Sequence, residues 1–243
     1  MERGGAAAAR RDRRLMRALA AALAALALAA PAAAWAQGAA RPAQRDWTQV
    51  VSQTPEGGFR MGNPQAAVRM VEFLSLTCPH CAEFTRQGTA QLMNHVRSGR
   101  VSLEYRNFVL NGLDLAASFL SRCAAPQNYF PLTHAILASQ GQWIGRMQAL
   151  SAAQQQAMEG QAPLETMRRV VAAAGLDAIA ARHGVNAAQA RACLSNQAGL
   201  DRVIQMQQAG ARYGVTGTPT FAINGRIVSA NNWAGIEPLL RGR

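Results

Sequence analysis

Apolar runs of strand length flank one helical pattern in the first half of the chain. Residues 68–74 are apolar enough for a buried central strand, and residues 101–108 alternate between apolar and polar side chains. The stretch between them, residues 78–96, has helical periodicity, and Gly99 closes the helix. The pattern predicts a strand–helix–strand unit with a right-handed crossover.

The segment before this unit is less regular. Residues 47–51 predict a first strand at the edge of a sheet, and residues 37–46 predict a flexible lead-in. Glycine and proline interrupt residues 55–64, which predicts a loop there. The interrupting residues are Pro55, Gly57, Gly58, Gly62 and Pro64.

The second half of the chain begins with a long helical block. Residues 113–212 are rich in Ala, Gln and Leu at helical spacing, and scattered proline and glycine divide them into several helices. Two apolar runs, residues 218–223 and 226–228, then flank Asn224-Gly225, which predicts a tight β-hairpin. Residues 231–240 predict a closing helix.

The order of these elements predicts an α/β protein with a thioredoxin-like fold and an inserted all-helical domain. The core is expected in two parts, residues 47–112 and residues 213–243. The helical insertion domain is expected to occupy residues 113–212 between them.

The N-terminus has the pattern of a secretory signal peptide. Residues 10–17 are rich in arginine, residues 18–30 are alanine and leucine, and Ala34-Trp35-Ala36 offers a small-x-small cleavage site. We expect cleavage after Ala36; the alternative is an uncleaved N-terminal anchor. Arg17 stands where a twin-arginine signal takes an apolar residue, which favours general secretion. The mature protein is therefore expected in the periplasm, where disulfides persist.

Composition narrows the classes of function. The 243 residues carry a formal net charge of +12 and are 49% hydrophobic, which suits a globular protein with a core. All 25 basic residues are arginine, which excludes a Schiff-base lysine and a P-loop lysine. The arginines do not interleave with aromatic residues, so nucleic-acid binding is not expected. No dimerisation segment precedes the core, and we expect a monomer.

The clearest chemistry lies in Cys78-Pro79-His80-Cys81, at the predicted strand-to-helix junction. Cys78 is expected at the helix N-cap and Pro79 at the first helical position, where a missing N–H has no cost. The helix dipole and free N–H groups would stabilise a Cys78 thiolate, which makes it the attacking sulfur. His80 adds a donor or positive charge, and Cys81 is expected to be the more buried, resolving thiol.

Other uses of this cysteine pair are less consistent with the sequence. A c-type haem site requires histidine directly after the second cysteine, and residue 82 is alanine. A zinc site requires a second ligand pair, whereas Cys123 and Cys193 stand alone. A merely structural Cys78–Cys81 disulfide is the third alternative, and its short loop would add little stability. We expect no metal and no cofactor.

Two further positions point to the same chemistry. Proline is unusual at the entrance to a strand, so a cis Thr218–Pro219 bond is expected, with the Thr218 backbone free to pair with a substrate peptide. A trans proline at a loop end is the alternative. Glu72 is an acid within the central apolar strand, where burial would raise its pKa and make it a proton acceptor for Cys81. Its alternative is a partly exposed or arginine-paired carboxylate.

The residues from Glu72 to Cys81, together with Gly217-Thr218-Pro219, resemble the DsbA family of thiol–disulfide oxidoreductases. The resemblance implies Cys78 as nucleophile, Cys81 as resolving cysteine, His80 as thiolate stabiliser and Glu72 as buried acid. It also implies that Pro219 is a cis-proline facing the active sulfur. The implied partners are reduced, unfolded substrate proteins and a DsbB-like, quinone-linked membrane reoxidant.

Thr218 departs from the best-known member of that family, which has an aliphatic residue before the cis-proline. The departure leaves open an exported reductase or isomerase kept reduced by a membrane donor. A non-enzymatic periplasmic metal or peptide binder is the alternative from another class. Some DsbA-like proteins have a second disulfide, and the resemblance implies one between Cys123 and Cys193; two buried free thiols are the alternative.

Overall fold

The computed structural model describes residues 45–158 and 161–241. The signal peptide predicted for residues 1–36, its cleavage site and most of the predicted lead-in lie outside the described residues. None of the helices within the described residues is both long enough and apolar enough to span a membrane.

The strands of the described residues form one mixed sheet of six strands in the order β1-β2-β4-β3-β5-β6. Strands β3 and β4 pair in parallel, and each of the other pairs is antiparallel. The strands are β1 Val51–Gln53, β2 Phe59–Gly62, β3 Val68–Leu74, β4 Val101–Asn107, β5 Thr220–Ile223 and β6 Arg226–Val228.

The helices follow the predicted order. A single helix, α1, connects β3 to β4, a series of helices lies between β4 and β5, and α10 follows the hairpin of β5 and β6. Their bounds are α1 Pro79–Arg97, α2 Gly112–Ser121, α3 Pro126–Ala138, α4 Gln140–Gln148, α5 Ala152–Gln156, α6 Pro163–Ala174, α7 Leu176–Arg182, α8 Ala187–Cys193, α9 Gln197–Arg212 and α10 Trp233–Leu240. The predicted fold class, a thioredoxin-like α/β core with a helical insertion, is confirmed. The exact domain boundaries stay a prediction.

The segment before β3 corrects two expectations. Residues Trp47–Gln49 form a 3-10 helix instead of a strand, because the Asp46 side chain accepts the Thr48 N–H at 2.9 Å and caps a helical turn. The predicted loop contains β2, whose Phe59 and Met61 are buried. Glycine is needed at position 58 because the Glu104 carboxylate occupies the space that a Cβ would take.

Helix α1 presents its apolar side to the sheet. Phe84 packs against Phe221 of β5, with ring centroids 4.5 Å apart, and it also contacts the edge of Trp233 in α10. Gly88 is required where the Trp233 ring lies against α1, since a side chain there would overlap the indole. These contacts fix the start of α1 relative to the central strands.

The helices between β4 and β5 share a continuous apolar core with the sheet. Aromatic side chains of α3 reach β4 and β2: Phe130 packs against Tyr105, and Tyr129 stacks on Phe59 with ring centroids 4.0 Å apart. A disulfide joins Cys123, just after α2, to Cys193 at the end of α8.

We expect the paired substitution Cys123→Ser and Cys193→Ser to lower the free energy of unfolding by up to about 4 kcal/mol, because the bond closes a long loop in the unfolded chain. Urea unfolding in a Cys78→Ser, Cys81→Ser background isolates this disulfide. The parent in this comparison is the Cys78→Ser, Cys81→Ser protein with the Cys123–Cys193 disulfide intact. Adding a reductant to it should lower its urea unfolding midpoint to that of the paired variant. Equal midpoints for the oxidised parent and the paired variant would contradict the expectation.

Candidate active site

Cys78 lies at the N-cap of α1, directly after the turn that leaves β3. Its backbone is extended (φ −79°, ψ 119°), and Pro79 occupies the first helical position, where no N–H is required. Cys78 and Cys81 are both free thiols, and both are buried. The structure therefore describes the reduced, dithiol form of the site.

The surroundings of Cys78 stabilise its thiolate. The pKa of Cys78 is lowered to about 5, chiefly because the Cys81 thiol donates a hydrogen bond to its sulfur. The Thr218 hydroxyl and the backbone N–H groups of Cys81 and His80 act in the same direction, while burial opposes them. A sulfur at a helix N-terminus is favoured in its charged form by these N–H groups and by the helix dipole.

Two polar groups of Thr218 lie near the Cys78 sulfur. In the thiol form, Cys78 Sγ donates a hydrogen bond to the Thr218 carbonyl oxygen at 3.2 Å. A thiolate has no proton to donate, so this bond is lost on ionisation. The buried Thr218 hydroxyl has no hydrogen-bond partner among the described residues, and its proximity lowers the pKa of Cys78 by favouring the thiolate.

The pKa of Cys81 is shifted in the opposite direction to that of Cys78. It is fully buried, and burial raises its pKa far above the ordinary value for cysteine, with the neighbouring Cys78 and Glu72 acting in the same direction. Cys81 therefore stays a neutral thiol that donates to Cys78. The site thus contains one thiolate and one thiol, as an attacking and a resolving cysteine require.

Glu72 lies on β3 with no exposed surface. Neither of its carboxylate oxygens has a hydrogen-bond partner among the described residues. Burial, followed by the negative charge of Cys78, raises the pKa of Glu72 to about 8. The alternative of a partly exposed or arginine-paired carboxylate is wrong, and the group is placed to hold or release a proton near Cys81.

The peptide bond between Thr218 and Pro219 is cis. The Thr218 carbonyl oxygen lies 3.2 Å from the Cys78 sulfur, at the entrance of β5. A groove of about 290 Å³ opens beside this contact. It is lined by His80, Glu83, Phe84, Gln87, Thr218, Pro219, Asn231 and Asn232.

The structure brings six of the predicted site residues together: Glu72, Cys78, Pro79, Cys81, Thr218 and Pro219. His80 is adjacent, but its side chain is exposed, and the contribution found for it is made by its backbone N–H. A role for its imidazole stays a prediction. Cys123 and Cys193 form their own disulfide and are not part of this group.

His134 of α3 is half-buried and packs against aromatic side chains of the core. Its Nε2 lies 3.0 Å from the hydroxyl of Tyr105, and burial lowers the pKa of His134 to about 4. Within the described residues, no group of three or more His, Cys, Asp or Glu side chains is arranged to hold a metal ion.

Sequence reasoning missed two buried polar residues that contact the turn before Cys78. Asp114 of α2 accepts the Leu76 N–H at 2.9 Å, and Gln140 of α4 donates to the Leu76 and Cys78 carbonyl oxygens. An acid in the first turn of a helix, as at Asp114, is a recognisable capping signal. Gln140 carries no comparable signal, since nothing local distinguishes it from the other glutamines of the helical block.

Comparison with known proteins shows the family to which the chain belongs. The family model described as Thioredoxin matches residues 54–241. The chain belongs to this thioredoxin family. A solved protein-disulfide isomerase from Novosphingobium aromaticivorans is 32% identical and has a TM-score of 0.69, covering 75% of this chain and 94% of its own.

Two further proteins are similar to this chain. Wolbachia pipientis α-DsbA1 has the same fold, with 21% identity and a TM-score of 0.57 over 77% of this chain and 90% of its own. A Rickettsia bellii protein, named for protein-disulfide oxidoreductase activity, is 32% identical over 97 residues. That match covers 39% of this chain and 38% of the Rickettsia protein, so the chain spans little more than a third of that relative. The resemblance to DsbA-like thiol–disulfide oxidoreductases is confirmed at the level of the family.

We expect Glu72→Gln to change the pH dependence of stability of the reduced protein. Between pH 4.5 and about 8 the unfolded chain releases the Glu72 proton while the folded protein keeps it. The parent therefore loses stability as pH rises through this window, by up to about 1.4 kcal/mol per pH unit from this group. The variant lacks that loss, so its stability relative to the parent should increase from pH 5 to pH 8.

Urea unfolding across that range measures the difference. Glu83→Gln is the matched control, because Glu83 is on the same site's surface and its pKa is lowered by Arg86. Its stability relative to the parent should stay nearly constant above pH 5. A parallel pH profile for Glu72→Gln and the parent would show that Glu72 is ionised in the folded protein.

Proposed function

We propose that the protein is an exported thiol–disulfide oxidoreductase that donates a Cys78–Cys81 disulfide to reduced substrate proteins. The observation that carries the proposal is the stabilised Cys78 thiolate, at a helix N-terminus and beside a buried neutral Cys81. A disulfide whose reduced form is stabilised in this way tends to be passed on to other thiols.

The first step forms a mixed disulfide. A substrate thiolate attacks Sγ of Cys78, the Cys78–Cys81 bond breaks, and its electron pair leaves on the Cys81 sulfur. Because Cys81 is buried and disfavours charge, it takes a proton. Glu72, which holds a proton near neutral pH, is the acid placed to supply it.

The second step releases the product. A second substrate thiolate attacks the substrate sulfur of the mixed disulfide, a substrate disulfide forms, and Cys78 leaves as a thiolate. The low pKa of Cys78 makes it a good leaving group. The two electrons of the substrate thiols then reside on the Cys78 and Cys81 pair, with the proton on Cys81.

The lowered pKa of Cys78 favours transfer of the disulfide from the protein to its substrate. Each unit by which the pKa of Cys78 is lowered stabilises the ionised, reduced form by about 1.4 kcal/mol. For a two-electron couple this corresponds to a reduction potential about 30 mV more oxidising per unit.

The cis Thr218–Pro219 segment is the proposed substrate contact. Its backbone lies beside the Cys78 sulfur at the start of a strand, where an extended substrate segment can pair with it. The adjoining groove, bordered by Phe84 and Asn232, would accept the side chains of that segment.

Completion of the cycle requires a partner. Export is supported by the arginine-rich, alanine-leucine N-terminus. In the periplasm, a DsbB-like, quinone-linked membrane protein would reoxidise the cysteine pair. The resemblance of the site and fold to DsbA-like proteins supports this assignment.

A reductase or isomerase is the second candidate. Thr218 favours it, because its hydroxyl replaces an aliphatic group beside the active sulfur. The solved relative at 32% identity is described as a protein-disulfide isomerase. In that case the pair would be kept reduced by a membrane donor. A non-enzymatic metal or peptide binder would instead retain stoichiometric metal or peptide without turnover.

The test is the oxidation of a reduced, unfolded test protein with several cysteines by oxidised protein comprising residues 37–243. The parent should form disulfides in it, and Cys78→Ser should abolish this activity. The paired Cys123→Ser and Cys193→Ser variant, which lacks only the remote disulfide, is the control and should retain activity. Full activity in Cys78→Ser would contradict the proposal, and efficient rescue of a scrambled protein without net oxidation would favour the isomerase.

A further inference from the structure

The turn between β3 and α1 is held by side chains from outside the sheet. The Leu76 N–H donates to Asp114 Oδ1 at 2.9 Å, and the Leu76 carbonyl oxygen accepts from Gln140 Nε2 at 2.8 Å. The same Gln140 nitrogen lies 3.0 Å from the Cys78 carbonyl oxygen. Asp114 and Leu76 have no exposed surface, and Gln140 is buried. Both polar groups of the Leu76 backbone are therefore satisfied by the helical block.

The bond to the Cys78 carbonyl acts directly on the nucleophile. That carbonyl also accepts the Ala82 N–H at 3.2 Å, which is the first hydrogen bond of α1. Gln140 Nε2 is a second donor to the same oxygen, so two hydrogen bonds from different elements hold the Cys78 peptide. The orientation of this peptide decides whether Cys78 Sγ lies over the N–H groups of His80 and Cys81.

Loss of the Gln140 hydrogen bonds would be energetically costly. A buried side-chain amide that loses its partners costs about 1–3 kcal/mol, and the buried Leu76 carbonyl would be left without a donor as well. The position of Gln140 is set by the start of α4, immediately after α3 ends at Ala138. The amide therefore links the helical block directly to the turn by hydrogen bonds.

We propose that Gln140 is a positioning residue that holds Cys78 in the conformation in which backbone N–H groups reach its sulfur. The helical block then contributes to the reactivity of the nucleophile as well as to the shape of the protein. The biological consequence rests on the proposed oxidoreductase function, but the effect on Cys78 itself does not.

The experiment compares Gln140→Met with Gln142→Met in the reduced protein. Methionine matches the length of glutamine but cannot donate a hydrogen bond, and the exposed Gln142 lies on the same helix without contact to the turn. The pKa of Cys78 is read from its thiolate absorbance as a function of pH. The facing titratable groups, Cys81 and His80 on α1 and Glu72 on β3, are unchanged in both variants.

We expect Gln140→Met to raise the pKa of Cys78 by about half a unit or more, which is roughly a threefold loss of thiolate stabilisation. Gln142→Met should leave this pKa unchanged. Urea unfolding of each variant shows that the comparison is made between folded proteins. If Gln140→Met does not fold, Gln140→Asn replaces it, because the shorter side chain keeps the amide but withdraws it from both carbonyl oxygens.

A folded Gln140 variant with the Cys78 pKa of the parent would overturn the proposal. A shift of equal size in Gln142→Met would also overturn it, since the effect would then not require the hydrogen bonds to the turn. The readout needs no substrate, so failure of the oxidation assay would leave this result unaffected. Conversely, an unshifted pKa would leave the proposed oxidase activity standing.

Discussion

The stabilisation of negative charge on the Cys78 sulfur is the interaction on which the rest of the site depends. It requires a helix for which Cys78 is the N-cap, and a proline at the first helical position, where the missing N–H costs no hydrogen bond. It also requires a neutral thiol at Cys81 that donates a hydrogen bond to the Cys78 sulfur. Three parts of the structure assemble the surroundings of the sulfur. β3 delivers Cys78 to the end of the sheet, α1 supplies the N–H groups, and the cis Thr218–Pro219 segment closes the remaining side.

Differences in environment give the two cysteines opposite pKa shifts and therefore different roles. Cys81 and Glu72 both lie in the apolar layer between the sheet and α1, where charge is disfavoured, so each keeps its proton near neutral pH. Cys78 is also buried, but it lies at the N-terminus of α1, where hydrogen-bond donors stabilise its charge. The result is one cysteine, Cys78, that favours the thiolate and one, Cys81, that favours the neutral thiol. Glu72 is the acid that can donate a proton to Cys81 or accept one from it.

Much of this arrangement was predictable because its causes are local. The apolar run of β3, the helix start at Pro79 and the hairpin at Asn224-Gly225 each depend on neighbouring residues, and all were predicted. β2 was missed because Gly58 was interpreted as a loop residue. Position 58 is glycine because the Glu104 carboxylate occupies the space that a Cβ would take. Sequence spacing alone does not reveal this contact.

The positioning contacts could not be predicted for a similar reason. Gln140 lies 64 positions from Leu76, and Asp114 lies 38 positions from it, so only the folded helical block brings them to the turn. His80 shows the opposite limit. The sequence predicted that the His80 side chain assists the thiolate, whereas the contribution in the structure is made by the His80 backbone N–H, and a role for the imidazole stays a prediction.

The reduction potential of the Cys78–Cys81 pair tests the central claim most directly. It is measured by equilibrating the protein with glutathione buffers, with Cys123 and Cys193 replaced by serine so that one pair titrates. A stabilised thiolate predicts a potential near or above about −150 mV, in the range of dithiol oxidants. A potential near about −250 mV, in the range of reductants, would contradict the account.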